Sequence, residues 1–136
     1  MKLQFTIPGE PKSKQRPRVT KAGITYTPKK TVEYENWVKQ CYIMDHFNLQ
    51  LGGQLKATII AYFTIPKNKS KKVKEQMIAG EIRPTKKPDL DNIVKIVLDS
   101  LNGLAYEDDK QVVELNISKY YAEKPRVEVV LECLKN

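Results

Sequence analysis

The residues best suited to chemistry in this chain are Asp89 and Asp91, Lys95 one helical turn later, and the run Glu107-Asp108-Asp109. Of the 16 acidic residues in the protein, Asp89, Asp91, Asp99, Glu107, Asp108 and Asp109 fall inside one short stretch, while the chain as a whole carries a net charge of +8. Hydrated Mg²⁺ is bound through one or two carboxylates together with water and substrate phosphate. Asp89, Asp91 and one of Asp108 or Asp109 can supply such oxygens. Packing them together without a cation would be repulsive. Lys95 is placed to stabilise charge on an attacked phosphate or to orient the attacking water. Carboxylates gathered within a basic protein suit a divalent cation held against a polyanion, the layout of metal-dependent phosphodiester hydrolysis.

The same residues have an ordinary structural reading. Asp89 follows Pro88 where an N-cap belongs, and acid in a first helical turn favours the helix dipole. Asp91 and Lys95 form an i, i+4 pair worth only about 0.2–0.5 kcal/mol. Glu107-Asp108-Asp109 reads equally well as a solvated turn.

Other chemistries are poorly served. His46 is the only histidine, which argues against a mechanism built on a histidine base. Cys41 and Cys133 have no metal-binding spacing, which argues against zinc. Each falls on an apolar face, so they read as buried free thiols of a reducing, cytoplasmic compartment. No apolar run approaches the roughly 18 residues that span a bilayer. The alternating N-terminus lacks the apolar block of a signal peptide.

The elements that must position the acids are legible from periodicity. Leu90, Ile93, Val94, Val97, Leu98 and Leu101 recur at helical spacing and predict a helix from about Leu90 to Asn102, ended by Gly103. Asp91, Lys95, Asp99 and Asn102 then share its polar side. Lys2 to Ile7 reads as a strand, and residues 8–27 as an extended basic loop with a short strand near Ile24-Thr25-Tyr26. Thr27-Pro28 opens a helix whose buried side is Tyr34, Trp37, Val38, Cys41 and Tyr42. Leu55 to Ile65 alternates as a long strand. A lysine-rich helix runs from Ser70 to Ala79, with Gly80 as its stop. Alternation at Val113, Leu115 and Ile117, then at Val127, Val129, Leu131 and Cys133, predicts a C-terminal β-hairpin turning at Ala122 to Pro125. At 136 residues the chain fits one domain, 1–136. The fold class is α+β, a mixed β-sheet with packed helices.

Basic residues concentrate in two places. Lys12, Lys14, Arg16, Arg18, Lys21, Lys29 and Lys30 face one acid, Glu10, and Lys67, Lys69, Lys71, Lys72 and Lys74 form a second run. Such patches suit phosphate backbones, or simply a solvated surface.

With these residues in hand, the chain resembles the RusA family of Holliday junction resolvases of bacteria and their prophages. The likeness spans nearly the whole length and is densest from Arg83 to Val112. Lys87-Pro88-Asp89-Leu90-Asp91-Asn92-Ile93-Val94-Lys95 matches the family's Asp-x-Asp-Asn-x-x-Lys pattern. Leu98-Asp99-Ser100-Leu101-Asn102-Gly103 and Tyr106-Glu107-Asp108-Asp109-Lys110-Gln111-Val112 match the family's pattern downstream of that motif, and Pro8 to Arg18 resembles the basic opening.

The resemblance implies a homodimeric endonuclease that uses Mg²⁺, or Mn²⁺ in its place, to cut four-way junction DNA by paired symmetric nicks in recombination and repair. It implies catalytic roles for Asp89, Asp91, Asp109 and Lys95, with Asp108 as a further metal ligand or a neighbour, and Asp99 as structural. Lys12, Lys14, Arg16 and Arg18 are expected to grip phosphates. Tyr26, Trp37 and Tyr106 are candidates to stack on opened bases, with core packing the better role for Trp37. A less selective branched-DNA or flap nuclease needs the same chemistry. A non-catalytic DNA-binding module, or an acidic knob for a basic partner, explains less of the pattern.

Overall fold

Residues 1–134 are described by a computed structural model. They form β1 (Lys2–Pro8), β2 (Arg18–Val19), β3 (Thr25–Tyr26), α1 (Lys29–His46), β4 (Leu55–Thr64), α2 (Lys71–Ile78), α3 (Leu90–Ser100), β5 (Val112–Ala122) and β6 (Arg126–Cys133), with a turn of 3₁₀ helix at Asp109–Gln111 before β5. The four long strands make one mixed sheet in the order β1-β6-β4-β5. The β1/β6 and β6/β4 pairs are antiparallel and β4/β5 is parallel. β2 and β3 form a small separate ribbon within the basic loop.

β4 is the axis of the molecule because its sequence is apolar at every second residue. Leu55, Ala57, Ile59, Ala61 and Phe63 are buried on one face, where α1 and α3 pack together with Leu3, Phe5 and Ile7 of β1 and Val127, Val129 and Leu131 of β6. Each fully buried aliphatic or aromatic side chain of this set contributes roughly 1.5–3 kcal/mol. The Phe5 and Tyr42 rings meet edge to face at 5.4 Å. α2 lies against β5; its Met77 is buried, and Gly80 beyond it lets the Tyr120 ring approach closely. Ser70 caps α2 by accepting from the Val73 N–H. Among the described residues no helix is long and apolar enough to cross a membrane.

The C-terminal strands run antiparallel and are joined by the short turn at 123–125, as their patterns predict, but β4 lies between them. They therefore do not share hydrogen bonds. Adjacent strands are about 4.8 Å apart, so the turn spans two spacings, within reach of its few residues at roughly 3.8 Å per Cα step. Alternation reports which face a residue occupies, not which strand lies beside it.

Several side chains depart from the sequence expectation, among them Val113 and Leu115, which are exposed on the edge strand β5. Trp37 is 39% exposed and not part of the core. It sits at the flank of the buried α1 stripe of Thr31, Tyr34, Val38, Cys41 and Tyr42, and its indole N–H donates to the Pro8 carbonyl. Cys133 is half-buried, whereas Cys41 is buried; both are free thiols.

Candidate active site

The acids are carried by α3 and the turn at its C-terminal end. α3 buries Ile93, Ile96, Val97, Ser100 and Leu101. Asp91 and Lys95 are left exposed on the far side, with Asp99 and Asn102 further along the same stripe. Asp89 occupies the N-cap position in extended conformation but makes no side-chain cap hydrogen bond, which leaves its carboxylate free for other partners. Leu90, predicted to lie in the apolar stripe, is 41% exposed because the first turn of α3 reaches past the core.

Beyond α3 the chain folds back sharply. Gly103, at φ +75°, donates its N–H to the carbonyls of Tyr106 and Glu107. Tyr106 is fully buried, and its hydroxyl donates to the Leu98 carbonyl at 2.6 Å. Tyr106 thus anchors the return against α3 and has no face open for a base. The Asp109 N–H donates to Asn102 Oδ1 at 2.8 Å, which fixes the acidic turn against the C-terminal end of α3. Gln111 and Asp108 close the turn with a capping box.

This return brings Asp109 close enough to Asp99 and Asp108 for their charges to act on it. Burial is the main cause that raises the Asp109 carboxyl above its ordinary value; Asp99 and then Asp108 add to the shift. Asp108 shifts the other way, chiefly because the Lys110 N–H donates to it. Lys14 reaches in from the basic loop to Asp99 at 2.9 Å and Glu35 at 3.5 Å. The Asp99 hydrogen bond is the main cause that raises its pKa.

Lys14, expected to grip phosphate, is here half-buried and paired with the acids Asp99 and Glu35. Lys12, Arg16 and Arg18 remain exposed. Asp99, expected to be structural, is the acid that pairs with Lys14 and acts on Asp109. Its place on the Asp91 stripe was the available signal, whereas nothing in the sequence singles out Glu35.

The N-terminal end of α3 has its own surroundings. A cis Lys87–Pro88 bond leads into Asp89. Asp89 lies close enough to act on Lys119 of β5, whose pKa is lowered mainly by burial, with Asp89 opposing the shift and Lys86 adding to it. The Lys119 ammonium donates to the Lys86 carbonyl and stands 5.1 Å from the Phe63 ring centre. Lys119 and Lys86 went unnoticed in the sequence because lysine in a strand or loop carries no distinctive spacing.

Asp89 and Asp91 therefore sit at one end of α3 and Asp99, Asp108 and Asp109 at the other. Among the described residues no group of three or more His, Cys, Asp or Glu side chains is placed to hold a metal ion. The donor chemistry nevertheless suits a hard cation: Asp109 is crowded by two further carboxylates with one ammonium nearby, and Mg²⁺ needs only one or two protein carboxylates beside water and phosphate.

Comparison with known proteins settles the lineage. The sequence model described as Endodeoxyribonuclease RusA matches residues 8–132. The chain belongs to the RusA endodeoxyribonuclease family. It is also 40% identical over 134 residues to a Bacillus subtilis (strain 168) protein named "Uncharacterized protein YqaN", a match covering 95% of this chain and 94% of that protein. The RusA match takes in the basic loop, α3 and the acidic turn together. The acids are thus placed by a RusA scaffold, which supports nuclease activity.

Proposed function

We propose that this protein resolves four-way DNA junctions by metal-dependent phosphodiester hydrolysis, acting as a homodimer in the bacterial cytoplasm. The observation that carries the reading is the RusA-family match over a chain whose α3 exposes Asp91 and Lys95 and whose acidic turn is fixed against Asn102 at the other end of that helix. By the family pattern Asp89, Asp91 and Asp109 would supply oxygens to Mg²⁺, or Mn²⁺ in its place, with Asp108 adjacent to Asp109, although the two ends of α3 do not gather them at one point here. The bound cation would supply Lewis-acid charge at the scissile phosphate and a water of lowered pKa.

The remaining roles belong to side chains of the chain itself. Lys95 offsets negative charge developing on the phosphate oxygens. Lys14 holds Asp99, and through it the acidic turn, in register with the basic loop. Lys12, Arg16 and Arg18 meet flanking phosphates and orient the duplex arms. A twofold dimer presents two such sites to a substrate of near-twofold symmetry, so that strands of like polarity are cut in pairs.

The test is cleavage of a synthetic four-way junction beside a linear duplex of matching sequence, with and without Mg²⁺. Paired junction-confined nicks that require the metal and vanish in Asp91→Asn are expected, with junction binding retained. Metal-dependent cutting of flaps and duplexes at equal rates would instead favour a less selective branched-DNA nuclease. Normal turnover by Asp91→Asn would remove that residue from the site.

A further inference from the structure

We propose that a groove between the basic loop and the first turns of α1 is a binding site for a single unstacked nucleotide, its base lying on Trp37 and its phosphates between Lys12 and Lys30. The inference rests on the junction-cutting reading for its biological use, but not for its chemistry. The groove has a volume of about 560 Å³, within the roughly 300–1,000 Å³ of small-ligand sites. Trp37 lines it and is 39% exposed, held by its bond from the indole N–H to the Pro8 carbonyl. A large aromatic side chain fixed at a polar rim is what a base stacks upon, and stacking tolerates any base because every base has a π-face. Lys12 and Lys30 on the rim are exposed and supply the charge for phosphate.

The wall of the groove carries one buried polar group that packing alone does not explain. Tyr34 lines it while 8% exposed, and its hydroxyl is the one buried side-chain polar atom without a hydrogen-bond partner among the described residues. Burial, more than the nearby Cys41, raises the phenol's pKa, so it remains a protonated donor at neutral pH; the Lys12 backbone opposes the shift. An unpaired buried hydroxyl is costly; the Lys12 backbone lies beside it, and a base carbonyl would reach it only on a shift of that segment. Glu33, also lining the groove, offers an acceptor for base N–H groups.

The groove adjoins the acidic cluster through the basic loop. Lys14 points to Asp99 and Glu35, while its neighbours Ser13 and Gln15 line the groove. Successive side chains of an extended segment point in opposite directions. A strand bound there would run past the carboxylates with one base withdrawn from its stack, an arrangement suited to the unpaired bases of a branch point.

Trp37 is the only tryptophan, so the emission of the intact protein reports on the groove directly. The experiment titrates the protein with single-stranded oligothymidylate, with an abasic strand of equal charge, with polyglutamate and with four-way junction DNA, all without divalent metal. Oligothymidylate should quench the emission and bind roughly tenfold more tightly than the abasic strand, in keeping with stacking. Trp37→Leu should erase that difference when binding is followed by anisotropy of a labelled strand. Tyr34→Phe should unfold no earlier than the parent yet bind oligothymidylate about threefold more weakly, a loss a purely structural hydroxyl would not give.

Equal binding of the abasic strand or of polyglutamate overturns the proposal, as does unquenched emission at saturating oligothymidylate. Junction cleavage in a separate assay containing Mg²⁺, with no Trp37 response to the junction in the metal-free titration, would overturn the groove but leave the resolvase reading intact. Oligothymidylate quenching together with no junction cleavage in a separate assay containing Mg²⁺ would uphold the groove and remove the resolvase.

Discussion

Asp109 is the residue on which the electrostatics of the acidic turn converge. Its folded-state pKa is raised, first by burial and then by Asp99 and Asp108. A carboxyl with a raised folded pKa binds its proton more tightly folded than unfolded. It therefore withdraws stability as pH rises from the ordinary aspartate value through the raised one. A divalent cation at the turn would offset that loss. Asp99→Asn leaves the burial in place but removes one neighbouring charge, so the Asp109 midpoint in the metal-free protein should fall part of the way back, read by NMR titration of carboxyl carbons. An unmoved midpoint would mean that Asp99 does not act on Asp109. Lys14, raised mainly by Asp99, should fall toward its ordinary value in the same variant. The contribution of Lys14 runs the other way: it is present below the unfolded pKa and lost as pH rises through the raised one. The carboxylates themselves were legible in the sequence because acid is scarce in a basic chain. Which carboxylate meets which was not, because a helix stripe gives direction but not the path of the chain that returns to it.

The element that assembles the site is the return from α3 to β5. Gly103 holds a positive φ of 75°, and Tyr106 is sealed beneath the turn with its hydroxyl on the Leu98 carbonyl. A Cβ at position 103 would meet no neighbour, so the cost of Gly103→Ala lies in the backbone alone. That cost is roughly 1–2 kcal/mol for an L-residue held in left-handed conformation. Denaturant unfolding should show a loss of this size. If the turn sets the Asp109 position, the same variant should also show a smaller rise in melting temperature on adding Mg²⁺. A full Mg²⁺ response with reduced stability would separate the turn's packing role from any part in metal binding. The sequence marked Gly103 as a helix stop, and α3 does end just before it. The seat of Tyr106 was not legible, since a single aromatic in a short loop has no periodicity to place it. Trp37 failed for the converse reason: it lies near a helical stripe, and spacing alone does not say how far the core extends around a helix.

At the scale of the whole molecule, charge is divided between the two sides of the basic loop. Lys14 is spent on the acidic cluster, while Lys12, Arg16 and Arg18 stay exposed, the last beginning the β2/β3 ribbon. The interleaving of β4 between β5 and β6 makes β5 an edge strand and ties β1 to β6 at the other end of the sheet. The basic loop leaves β1 there and crosses to α1 and Asp99. Residue patterns revealed the α+β class and nearly every long element, because most of them bury one face; the edge strand β5 alternates without burying one, and the strand order was hidden, because neighbours in a sheet share no sequence signal. The division of charge makes a quantitative prediction. Phosphate contacts release counterions, so the logarithm of the binding constant falls with the logarithm of salt at a slope of about −0.9 per neutralised phosphate on duplex DNA. Replacing Arg16 and Arg18 together by Ala should reduce the slope for junction binding by about 1.8 per bound chain if each meets one phosphate. Lys14→Ala should change the slope far less, because its ammonium is committed within the protein, and should instead release Asp99 and Glu35 from the basic loop, read as a small loss of melting temperature. A large slope change for Lys14→Ala with none for the arginines would reverse the assignment, placing Lys14 on the DNA and the ribbon away from it.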